Sequence, residues 1–211
     1  MTDFSKIKAL FGITNPKGFS VSEMQSVQSI FGQLPQVLVD YYLELGNEKD
    51  LNYTQDSLIF PNKFQHFKNE DYFIFYSENQ CACVWGIKKE DIHLSNPPVY
   101  MSYDEKDWEI ESENLYDFLL AMAYLQAVFS LDYRGETFRY ITEKDLEFIR
   151  ENYENKKVTF KQWTQGIEFY SNYDDSIIVI MGGCEQMIYS SRNKEHFIEM
   201  DKILSTLGET M

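Results

Sequence analysis

The chain is predicted to fold as an α+β protein: a central, mainly antiparallel sheet flanked by helices, with a strand–strand–helix extension at its C-terminal end. Three patterns predict this. Apolar residues recur at helical spacing near the start and again from Leu115 to Phe129. Short aromatic runs of strand character fill the middle of the sequence. Strands also follow one another directly, without the strand–helix alternation of a parallel sheet.

The elements follow in order. Phe4, Ile7, Leu10 and Phe11 recur at helix spacing before a break at Asn15-Pro16-Lys17-Gly18. Ser20 or Ser22 caps a second helix with Met24, Val27 and Ile30 along it, ended by Gly32. Pro35 suits the first position of a third helix, because its missing N–H has no partner there. Leu34, Val37, Leu38, Tyr41, Tyr42 and Leu45 form that helix's stripe, and Gly46 is placed to stop it. Tyr72 to Tyr76 and Cys81 to Ile87 read as a hairpin around the polar turn Ser77 to Gln80, so residues 69–101 are expected as consecutive antiparallel strands with Trp85 buried. Pro97 to Met101 reads as an edge strand, since proline removes ladder donors. Ser112 opens a long helix, about 112–131, expected to pack on the sheet.

In the last third, Thr142 and Asp145 resemble a capping pair. Val158 to Trp163, Ile167 to Tyr170, Ile177 to Met181 and Gln186 to Tyr189 are strand-like, and Asn193 caps a last helix. These patterns divide the chain into a core, residues 1–134, and an extension, 135–211, packed on it.

Charge narrows the function. Thirty-four acidic residues against 19 basic ones give a formal charge of −15. That field repels phosphate backbones and anionic headgroups, so nucleic acid and membrane surfaces are not expected partners, and a basic protein is. The longest apolar run, Phe118 to Leu125, is far short of the roughly 20 residues a membrane span needs. Three cysteines and no secretory h-region read as reduced thiols in a cytoplasm.

Chemistry-bearing motifs are few. Cys81 and Cys83 lack the second close pair of a structural zinc site and read as two small buried residues. Tyr173-Asp174-Asp175 resembles the carboxylate pair of template-directed polymerases. It lacks a further metal carboxylate and a basic channel, and reads as a hairpin turn. No phosphate-cradling loop, nucleophile elbow or zincin helix appears, so no catalytic residue, cofactor or metal ligand is expected. The run Asp104, Glu105, Asp107, Glu109, Glu111, Glu113 surrounds Trp108. It reads either as a solvated face or as an acidic docking surface with an aromatic anchor. The candidate contacts are Tyr103, Asp104, Asp107, Trp108 and Glu109, with Glu78 at the hairpin turn.

Several of these features in series resemble the SUKH superfamily. They are Leu34-Pro35 opening a helix, Tyr41-Tyr42 near its end, Gly46 closing it, and Glu78-Asn79-Gln80 at a hairpin turn. Val84-Trp85-Gly86-Ile87, Pro97-Pro98-Val99, Trp108 and the long helix complete the series, which spans roughly residues 20 to 131. The resemblance implies a non-enzymatic binding module. Its bacterial members mostly neutralise a cognate toxin inside the producing cell, and the fungal regulator of cell-wall glucan synthesis implies the alternative of a regulatory scaffold binding several partners. It also implies that Trp85 and the Pro97-Pro98 pair hold the fold rather than touch a partner.

Overall fold

The structure, a computed structural model, describes residues 1–210. Its helices are α1 (Ser5–Phe11), α2 (Val21–Phe31), α3 (Gln36–Glu44), α4 (Lys49–Asn52), α5 (Leu115–Ser130), α6 (Glu143–Asn152) and α7 (Lys194–Leu204). The strands are β1 (Asp56–Leu58), β2 (Tyr72–Glu78), β3 (Val84–Lys88), β4 (Val99–Ser102), β5 (Glu109–Ser112) and β6 (Tyr133–Arg134). They continue as β7 (Arg139–Tyr140), β8 (Asn155–Phe160), β9 (Ile167–Tyr170), β10 (Ser176–Met181), β11 (Gln186–Ser191) and β12 (Glu209–Thr210). The protein is α+β with antiparallel sheets flanked by helices. There are two sheets rather than one, in two compact units.

The first unit comprises residues 1–4 and 15–119. Its five-stranded sheet is a meander, β1-β2-β3-β4-β5, with every neighbouring pair antiparallel. Trp85 of β3 is fully buried, and the first turn of α5 lies on it: the Phe118 ring is 6.0 Å from Trp85, 5.5 Å from Phe75 and 6.1 Å from Tyr76. Tyr41 and Tyr42 are buried as well. Burial leaves a hydroxyl costly unless it is bonded. Tyr41 donates to Asn52 Oδ1 at 2.8 Å, and Tyr42 to the Ile59 carbonyl at 2.7 Å. The tyrosine pair of α3 therefore ties the helix to the end of α4 and to the residue that follows β1. Ser20 caps α2 through a reciprocal bond with Glu23, and Pro35 sits at the cap of α3 rather than inside it.

The second unit comprises residues 5–14 and 120–211. Its strands run β12-β7-β11-β10-β9-β8, with β6 also paired to β11. One face carries α6 and α7, whose Leu146, Ile149, Met200 and Leu204 pack with Ile178, Ile180 and Tyr189. The other face carries the later turns of α5. Tyr124 lies 5.5 Å from Phe169, and Ser190 donates to the Ala127 carbonyl at 3.1 Å. Covered on both faces, β10 reads as an unbroken apolar run instead of an alternating one. Thr142 and Asp145 form a capping box for α6, and Asn193 Oδ1 accepts the Glu195 and His196 amides of α7.

Three expectations are corrected here. The units divide between Leu119 and Leu120, not at 134/135, and residues 5–14 belong with the second. The reason is that α5 is apolar all round and buries its later turns on the second sheet. Strand β4 is interior, flanked by β3 and β5; its two prolines precede Val99 and leave the ladder donors intact. Cys81 is exposed in the hairpin turn with a left-handed φ of 59°, so only Cys83 is the small buried residue expected of the pair.

Candidate partner-binding face

The segment joining β4 to β5, with the first residue of β5, sets the exposed Asp104, Glu105, Asp107 and Glu109 beside two aromatic residues, Tyr103 and Trp108. Tyr103 is 62% exposed and Asp104, Asp107 and Glu109 are exposed. Trp108 is half-buried. Its ring stacks on Tyr72 with centroids 4.1 Å apart and planes 10° from parallel, and Tyr72 in turn meets Tyr100 edge-on at 5.5 Å. These rings form a shelf over β2, β3 and β4. The shelf exists because residue 86 is glycine: a Cβ there would lie 3.1 Å from the Trp108 six-membered ring. The glycine of the Val-Trp-Gly-Ile run thus makes room for an aromatic residue 22 positions later.

Asp104 differs in role from its neighbours. Its Oδ1 accepts the backbone amides of Lys106 and Asp107, both at 2.9 Å, and these donors hold its carboxyl below the usual carboxylate range. It shapes the turn, and the adjacent Glu105 takes the left-handed conformation that the turn requires. Glu105, Asp107 and Glu109 present their carboxylates to solvent.

Two members of the acidic set are not at the surface. Glu78 is 6% exposed, and its carboxylate accepts the Gln80 and Ala82 amides at 2.7 and 3.0 Å. It organises the β2–β3 turn from within and is withdrawn as a partner contact. Glu111 is fully buried in β5 and accepts the Trp85 Nε1 proton at 3.4 Å, so the acidic run is not one solvated face. The physical reason is shared: a carboxylate that accepts backbone or indole N–H groups can be carried into the sheet at less cost, whereas one with little compensation is driven toward its neutral form.

Sequence reasoning missed Asp56. It is fully buried on the edge strand β1, directly across the ladder from Glu78. Burial above all, with the Glu78 charge adding, pushes its carboxyl up to about 7, against a lowering bond from the Asn79 amide. Burial also pushes the Cys83 thiol far up, helped by Asp56, Glu78 and Glu111. Such a thiol stays protonated and is a poor nucleophile.

Charge is unevenly shared between the units. The first holds nineteen acidic and seven basic residues, the second fifteen and twelve, and all four arginines lie in the second. Among the described residues no group of three or more His, Cys, Asp or Glu side chains is gathered as a metal would need, and no helix is long and apolar enough to cross a membrane. No family model, curated protein or solved structure matches the chain.

Proposed function

We propose that the protein is a non-enzymatic binding module of the immunity kind. In the cytoplasm it docks a cognate toxin with a basic surface onto the acidic, aromatic face of its first unit. The observation that carries the reading is the concentration of charge: nineteen acidic against seven basic residues in one unit, with Asp107 and Glu109 beside the exposed Tyr103 and half-exposed Trp108. Aromatic side chains supply anchor area at little entropic cost, and the carboxylates steer a basic partner into place. A nuclease toxin fits, since a groove that holds phosphates is basic. The order of motifs from Leu34 to the long helix supports the same reading through its resemblance to the SUKH superfamily.

The experiment is a measurement of association rate toward the toxin encoded by the gene directly upstream, at two ionic strengths. The wild type is compared with the double variant Asp107→Lys, Glu109→Lys. Asp104 is left alone because its carboxylate caps the turn. A rate lowered by tenfold or more, with a flatter salt dependence, supports the reading. An unchanged rate removes this face as the docking surface.

A further inference from the structure

The second unit holds a cavity of about 600 Å³ that docking through the first unit does not use. Its lining brings together Lys8 and Gly12 from the end of α1, Tyr173 and Asp175 from the turn between β9 and β10, and Arg192 and His196 at the start of α7. The imidazole is fixed from two sides. Nδ1 lies 2.7 Å from Asp175 Oδ1, and the ring stacks on Tyr173 with centroids 3.9 Å apart and planes 7° from parallel. Tyr173 is itself anchored, its hydroxyl donating to Glu199 at 2.6 Å. With Nδ1 committed to Asp175, Nε2 is the ring atom left for a ligand.

Arg192 is placed by its backbone amide, which donates to the Asp175 carbonyl at 2.8 Å. Its exposed guanidinium makes no ion pair or hydrogen bond among the described residues. The group lies over Gly12, where a Cβ would come 2.9 Å from Nε and 3.0 Å from Cζ. Gly12 has a left-handed φ of +65°, so a side chain there would be strained as well as crowded. The first amides of α7 are already taken by Asn193 Oδ1, so any anion is held by side chains and not by the helix end.

A guanidinium with all its donors unspent, beside an oriented imidazole and a lysine, matches an oxyanion with several oxygens. The arginine fork takes two oxygens, and His196 Nε2 faces a third, as an acceptor for a protonated phosphate oxygen in the neutral ring and as a donor in the protonated one. Asp174 also lines the cavity and opposes an anion, whereas Asp175 Oδ1 is engaged in the hydrogen bond with His196. We propose that this cavity binds a small phosphate-bearing ligand, with Arg192 and His196 as its contacts. The site is separate from the docking face and does not depend on it.

The test follows the His196 ring resonances by NMR during titration with inorganic phosphate at constant ionic strength, with chloride as the reference anion. A parallel titration uses phenyl phosphate. A saturable shift is expected, weakened about tenfold or more by Arg192→Gln, the worth of one charge-assisted contact. Gly12→Ala is expected to weaken it too, by displacing the guanidinium. Saturation by both probes assigns a phosphomonoester, and saturation by inorganic phosphate alone assigns the free anion. No saturable shift in the wild type, or one that a folded Arg192→Gln variant leaves unchanged, overturns the proposal.

Discussion

Replacing Asp56 by asparagine is expected to stabilise the protein, and by more the higher the pH. Asp56 is fully buried and faces Glu78 across the β1–β2 ladder, where like charges oppose each other directly. Its carboxyl is pushed from the ordinary value up to about 7. The native state therefore holds this proton more tightly than the unfolded chain does, whose aspartate titrates near 3.9. The sign follows from linkage. The contribution of Asp56 to stability is fully present below about pH 4 and is lost as pH rises toward 7. Between pH 5 and pH 8 the loss is about 2.5 kcal/mol, because each pH unit in the window costs about 1.4 kcal/mol per proton. Asparagine keeps the shape and cannot ionise. Urea unfolding of both proteins from pH 5 to 8 isolates Asp56 together with its coupling to Glu78, since groups that do not interact with Asp56 cancel in the difference. The stability gained by Asp56→Asn should grow by about 2.5 kcal/mol across that range. Parallel pH profiles for the two proteins would refute the reasoning, because they would mean that Asp56 titrates alike folded and unfolded.

Three further outcomes are expected. Trp85→Ala should cost about 3–5 kcal/mol in chemical denaturation, since it empties a fully buried site against Phe118 and leaves Glu111 without its indole donor. Gly86→Ala should lift Trp108 off the sheet, read as a red-shifted tryptophan emission, with a stability loss of about 1–3 kcal/mol from overpacking. Asn193→Ala should cost about 1 kcal/mol in thermal or urea unfolding, because two amides of the first turn of α7 lose their acceptor.

The sequence by itself determined the parts of the fold whose signals are local. The caps at Ser20, Thr142 and Asn193, the helical stripe of α3, the hairpin of β2 and β3 and the burial of Trp85 all follow from periodicity and turn chemistry within about a dozen residues. Tyr103, Asp107 and Glu109 were legible as surface candidates from local composition, since they lie in the polar stretch that follows the strand ending at Met101. The tertiary structure decided what depends on pairing at a distance. Strand β1 is three residues long and has no pattern of its own, so only its ladder with β2 buries Asp56 against Glu78. Glu111 looks like any other member of an acidic run until β5 joins the sheet and Trp85 donates to it. Gly86 shows its purpose only when Trp108 folds back over it, and Gly12 only when Arg192 arrives from 180 positions away. The unit boundary inside α5 belongs to this class too. An all-apolar helix reports that it is buried, but not on which sheet each turn is buried. Local periodicity records which side of an element is apolar, while partners brought together across the chain set which polar groups can follow it inside.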